Sequence, residues 1–222
     1  MAGGGMSMTW MRMDGQSWAG AMASFVAMWT VMMVAMMLPS LVPMLTQYRQ
    51  AIGASRAVRL EVLTVVVAAG YFAVWSALGA AIFPLGAVLA EAQLRLPIVA
   101  RAVPVAAGVV LVLAGAVQLT AWKARLLAFG RVAAGDAHVL PAGVRTAWKH
   151  GVCLGVHCSY CCAGLTASLL ALGMMDLRVM AAVTTAITAE RLAPAGARVA
   201  QAVGVAGIVT GALLIARAVG SG

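Results

Sequence analysis

Gly151-Val-Cys-Leu-Gly-Val-His-Cys-Ser-Tyr-Cys-Cys162 opens an apolar run that continues to about Leu172. A run of this length is enough for a helix to cross a hydrocarbon core of about 30 Å. All four cysteines of the chain and one of its three histidines fall inside the quoted stretch. Thiols and an imidazole crowded onto a membrane helix need a reason, and the candidates are a metal, electron transfer or packing.

The rest of the chain has the same apolar character. Of 222 residues, 64% are hydrophobic and 9% are charged, against about 25% charged in an ordinary soluble domain. Long apolar runs recur, which predicts an all-α, polytopic transmembrane helix bundle. The net charge of +9 does not point to nucleic acid. The basic residues sit in short segments between apolar runs, where the positive-inside rule and anionic headgroups place them, so the expected partner is the lipid bilayer. A cleavable signal peptide is not expected. The first strongly apolar run begins near Trp18, and Ala21-Met22-Ala23 precedes the apolar core instead of following it.

Residues 1–17 read as a mobile Gly- and Met-rich tail, with Met6-x-Met8 and Met11-x-Met13. Residues 18–219 read as one transmembrane domain of about six spans. The spans are expected from about Trp18 to Leu45, Leu60 to Phe83, Ala102 to Trp122, Trp148 to Leu172, Met174 to Leu192 and Val199 to Val219. Pro39 predicts a kink or break in the first span, and Pro84 an end to the second. Gly173 leaves almost no linker between spans four and five, which predicts a tight antiparallel hairpin. The stretch from Lys123 to Ala147 reads as an aqueous loop.

Loop charges set the expected orientation. Arg49, Arg56, Arg59, Lys123, Arg125, Arg131, Arg145, Lys149, Arg191 and Arg198 fall on one side; Arg12, Arg95, Arg101, Arg178 and Arg217 fall on the other. The first side is expected to be cytoplasmic, with both termini outside.

A helix turns about 100° per residue. On that wheel His150, Cys153, His157 and Cys161 fall within an arc of about 80°, so these four share a stripe. Cys158 and Cys162 border it, both beyond the Cys161 edge and away from Cys153. Neighbours at i, i+3 and i+4 can share an ion. Thiolate and imidazole ligands favour Cu(I), Zn(II) or iron–sulfur chemistry, so copper is the expected metal, with zinc possible. The competing view is that cysteine is a small hydrophobe that packs well.

Met28, Met32 and Met36 stack at i, i+4 and i+8 on the first span, with Met33 and Met37 in a second row. Thioethers are soft, neutral ligands, and methionine is also an ordinary packing residue. Cys153, His157, Cys158, Cys161, Cys162, Met33, Met36 and Met37 are the candidate metal ligands, and the case for the methionines improves if spans one and four touch. Among polar residues, Glu190 is expected to ligate, to carry protons or to pair with Arg191 or Lys149. Asp176 with Arg178 reads as a surface pair. Gln118 is expected to hydrogen-bond across helices, and Gly204, Gly207 and Gly211 to permit close helix approach.

Several of these residues form an ordered set. Trp29-x-x-Met-Met-x-x-Met-Met-Leu-Pro39, Gln118-Leu-Thr with Lys123, Cys158-x-x-Cys161-Cys162, Gly173-Met-Met-Asp-Leu177 with Met180, and Glu190-Arg191 occur in that order. The set resembles an uncharacterised family of bacterial predicted metal-binding integral membrane proteins, a domain of unknown function from the inner membrane, over about Trp18 to Pro194. The resemblance implies a multi-span fold and metal binding, and supplies no reaction. The chain departs from that family after Lys123, where Ala-Arg-Leu-Leu-Ala-Phe129 replaces a common cysteine pair, and at Ala163, where an aromatic is usual.

Three functions compete. The first is handling of a soft metal by transport, storage or delivery to a membrane metalloenzyme. The second is a non-catalytic accessory subunit of a larger membrane complex, which fits the absence of a catalytic triad or nucleotide loop. The third is a thiol-redox protein cycling Cys158 and Cys161, although burial inside a span opposes thiol activation.

Overall fold

The structure is a computed structural model that describes Trp10 and residues 15–52, 57–135 and 143–220. Seven helices are described: α1 (Trp18–Ile52), α2 (Ala57–Arg95), α3 (Pro97–Gln118), α4 (Ala121–Gly135), α5 (Val144–Leu172), α6 (Leu177–Leu192) and α7 (Gly196–Gly220). The protein is all-helical, as the apolar runs predict. Among the described residues, five helices (α1, α2, α3, α5 and α7) are long and apolar enough to cross a membrane.

Glycines at the seams fix the directions of the helices. A Cβ at Gly151 would run into the Val67 carbonyl, and one at Gly155 would meet the Tyr71 carbonyl, so α5 lies against α2 and runs parallel to it. Gly108 faces Gly211 and Gly115 faces Gly204, so α7 runs antiparallel to α3. A Cβ on Gly115 would come within 2.5 Å of the Gly204 carbonyl oxygen. The expected close approach along the last span is therefore present, with α3 as the partner. Thr30 against Ser76 and Phe25 against Phe83 make α1 antiparallel to α2.

These directions settle what α6 does. Since α5 and α7 run the same way, α6 must carry the chain back between them. It has only 16 residues, about 24 Å of helix, short of a full crossing by length. The expected tight hairpin is present: Gly173, at φ +114°, turns the chain, and Asp176 caps α6. The Asp176 carboxylate accepts from the backbone N–H groups of Arg178 and Val179, at 2.8 and 3.4 Å. That cap replaces the expected Asp176–Arg178 side-chain pair. The start of α1 and the end of α7 consequently lie at the same end of the bundle.

Two expectations are corrected and one is narrowed. Helix α1 continues through Pro39 and Pro43, which excludes the break, and α2 continues through Pro84 to Arg95. A proline removes one ladder hydrogen bond, and apolar helices tolerate this where neighbours cover the freed carbonyl. Phe83 and Gly86 bear packing instead of a turn: Phe83 packs on Phe25, and the Trp10 ring lies against Gly86. The supposed aqueous loop after Trp122 begins as a helix, α4. Its Ala/Leu/Lys/Arg content favours helix, and Thr120 Oγ1 accepts from the Lys123 N–H at 3.3 Å as an N-cap. Leu127 is buried, so α4 has a core-facing side. The Met-rich tail expectation falls mostly on residues 1–9 and 11–14, outside the described residues. Within that tail Trp10 is buried, its ring 4.8 Å from Phe25.

Candidate metal centre

Four helices meet at one level, where α3 ends, α4 begins and α6 nears its end beside the middle of α5. With 22 residues, α3 is about 33 Å long, close to one hydrocarbon thickness. The centre sits at the level of its Gln118 terminus.

Cys158, Cys161 and Cys162 are buried on the inward side of α5. The Tyr71 hydroxyl donates to Cys158 Sγ at 2.8 Å, and Arg191 Nη1 donates to the same sulfur at 2.9 Å. Cys158 Sγ and Cys162 Sγ are 3.8 Å apart, one helical turn along α5. Cys161 also interacts with Cys162. Arg191 Nη2 reaches on to Met44 Sδ at 4.0 Å.

A second cluster adjoins the first. Lys123 Nζ lies 2.7 Å from Glu190 Oε2, with both side chains buried. Gln118 Nε2 donates to Glu190 Oε1 at 2.5 Å, and Lys123 Nζ donates to the Cys161 carbonyl oxygen at 2.6 Å. The expected cross-helix bond of Gln118 is thus present. Glu190 pairs with Lys123 and not with Arg191 or Lys149; Arg191, the next residue on α6, leaves the helix about 100° away.

The predicted stripe is divided. Cys153 is exposed and stands apart from the buried thiols. His157 is half-buried, and its Nε2 donates to the Leu126 carbonyl of α4 at 3.0 Å. His150 stacks on Tyr48, ring centroids 5.4 Å apart. Met33, Met36 and Met37 are buried in the common core. Helix α1 packs on α2 and α6, whereas α5 packs on α2 and α3. Helices α1 and α5 share no broad interface; they are joined through α2, α4 and α6 and touch where Tyr48 stacks on His150.

Tyr71, Lys123, Arg191 and Met44 were not among the expected site residues. Lys123 and Arg191 read as loop charges. The usable signal was local: a lysine between Trp122 and Ala124, and adjacent opposite charges ending an apolar helix, each of which needs a buried partner. Tyr71, in the middle of an apolar span, likewise needs a partner for its hydroxyl.

The spacing of the thiols suits a soft cation. For metal–sulfur bonds of about 2.3 Å, two ligands in tetrahedral or trigonal geometry stand about 3.8–4.0 Å apart. Cys158 and Cys162 already have that separation. Among the described residues, no group of three or more His, Cys, Asp or Glu side chains is arranged to hold a metal ion as it stands. The Cys158 sulfur is instead engaged by a phenol and a guanidinium.

These features define a helical bundle, apolar enough to cross a membrane, with a buried thiol cluster flanked by two paired cations. The profile of the PpoB2 family, described as a copper chaperone, matches residues 26–214. The chain belongs to the PpoB2 copper chaperone family. Comparison with curated proteins and with solved structures gives no match.

Proposed function

We propose that this chain is an integral protein of the bacterial inner membrane that takes up Cu(I) on Cys158, Cys161 and Cys162 and delivers it to a membrane metalloenzyme. The observation that carries this reading is the 3.8 Å thiol pair one turn apart on α5, buried beside a guanidinium. Soft sulfur donors select Cu(I). With Cys158 and Cys162 as the thiolates and Cys161 a neutral thiol beside them, one Cu(I) leaves a single negative charge, and Arg191 offsets it. The family description supports copper over zinc. Met33, Met36 and Met37 line the core near the site as polarizable packing. Cys153 and His157 are its outer positions.

The many exposed large apolar side chains, among them Val31, Leu85, Ile98 and Leu177, face lipid in this reading. The site lies toward the cytoplasm. Among the described residues, and setting aside the buried Lys123 and the partly buried Arg191, the basic residues at the site's end include Arg49, Arg59, Arg125, Arg145, Lys149 and Arg198. Arg95, Arg101, Arg178 and Arg217 lie at the other end.

Element analysis of detergent-purified protein tests the proposal. Wild type loaded with Cu(I) should retain about one copper per chain through desalting, and a Cys158/Cys161/Cys162→Ser variant should retain none. Copper at background in wild type, or undiminished in the triple variant, overturns it.

A further inference from the structure

Arg191 is a partly buried cation that donates to two sulfur atoms. The carboxylate beside it in sequence, Glu190, is taken by Lys123. Its two terminal nitrogens go instead to Cys158 Sγ at 2.9 Å and Met44 Sδ at 4.0 Å. A thioether is a weak acceptor, so the second contact does little for a guanidinium. The arrangement nevertheless holds a positive charge between a thiol and a thioether contributed by different helices.

The geometry points to Met44 as a ligand of the copper site, with Arg191 standing in the metal-free protein where the ion is held. This inference rests on the copper reading above and adds a residue from α1 to it. Met44 lies seven residues beyond Met37 and eleven beyond Met33, near the same face of α1. Unlike those two it is only partly buried, so its flexible side chain has room to move. When Cu(I) enters, the guanidinium gives up Cys158. Copper–sulfur bonds form to Cys158, Cys162 and Met44, and the thiol protons leave to water at that end of the bundle. Arg191 stays beside the complex as its counter-charge. The ion then adds a tie between α1 and α5, two helices that otherwise touch where Tyr48 stacks on His150 and are joined through α2, α4 and α6.

X-ray absorption at the copper edge, with a competitive Cu(I) titration against a chromogenic chelator, tests the assignment. Met44→Leu should reduce the sulfur count by one and weaken Cu(I) binding at least about tenfold, the scale on which loss of a supporting group weakens a metal site. Met28→Leu, elsewhere on α1, should change neither. In selenomethionine-labelled protein a copper–selenium distance at bonding length should appear, and Met44→Leu should abolish it. If Met44→Leu does not fold, the labelled wild type decides alone: no copper–selenium scattering overturns the assignment. An unchanged sulfur count and affinity in Met44→Leu overturns it as well. Failure of the copper reading itself is separate, because it appears as copper retained in the triple Cys→Ser variant.

Discussion

Replacing Lys123 by methionine tests whether one buried ion pair holds four helices in place. Lys123 on α4 meets Glu190 on α6 at 2.7 Å and the Cys161 carbonyl on α5 at 2.6 Å, while Gln118 on α3 braces the carboxylate at 2.5 Å. At an effective dielectric constant of about 20, opposite unit charges at that distance attract by about 6 kcal/mol. Desolvation takes back several kcal/mol per ion, so the intact pair is close to neutral against an apolar replacement. Removing one partner is different, because it strands a buried charge at a cost of about 3–5 kcal/mol. At about 2–4 °C per kcal/mol for a chain of this size, Lys123→Met should lower Tm by about 6–20 °C. Glu190→Gln, which strands the ammonium, should fall by a similar amount. The double variant Lys123→Met/Glu190→Gln strands neither charge and should recover most of the loss. A thiol-reactive fluorophore added during a thermal ramp in detergent reads the transition, because Cys158, Cys161 and Cys162 become reactive only on unfolding. If the double variant loses as much as the two single variants combined, the charges do not interact and the reasoning fails.

Two further outcomes follow from the packing. Brief alkylation of the native, metal-free protein should modify Cys153 and spare the three buried cysteines until denaturant is added, as intact mass will show. A mild oxidant beforehand should leave the free-thiol count unchanged, whereas a loss of two would favour Cys158–Cys161 cycling. Gly151→Val forces a side chain against the Val67 carbonyl. It should destabilise the α2–α5 seam by at least about 1–3 kcal/mol and expose Cys158 to the same reagent, because Tyr71 on α2 covers that sulfur. A variant as stable and as protected as wild type would show that the seam is looser than the glycines imply.

The hydrophobic runs made the helices legible, since a bilayer-length apolar segment has few alternatives to a helix. Their ends were less so. Pro84 and Gly86 look like a turn in sequence, but Trp10 and Phe25 pack there and the helix runs on. Helix α4 was hidden because Lys123, Arg125 and Arg131 give its segment the polarity of a loop, while its apolar side faces α5. The thiols were visible as a cluster, but the wheel placed Cys153 and His157 nearer the middle of the stripe than Cys158 and Cys162. The buried face is the other edge, fixed by Gly151 and Gly155 against α2, and residue spacing alone does not reveal which edge a neighbouring helix covers. Met44 was missed for a related reason. The Met-Met repeat drew the reading to Met33, Met36 and Met37, whereas a long side chain from α6 reaches α1 about two to three turns further along.

The last turn of α6 separates a chaperone from a scaffold. Glu190 and Arg191 are adjacent, so they leave the helix about 100° apart and cannot share a partner. Glu190 turns to Lys123 and Gln118; Arg191 turns to Cys158 and Met44. Stability alone does not account for this, because apolar residues of similar size would hold the four helices about as well as a buried ion pair. A bundle built only to pack would leave sulfur among hydrocarbon and keep its charges at the surface. Here a carboxylate absorbs the ammonium, which leaves one guanidinium uncommitted to any carboxylate and aimed at a thiol. A fixed positive charge at that point would favour an anionic thiolate complex over neutral thiols, which is what the proposed Cu(I) site requires.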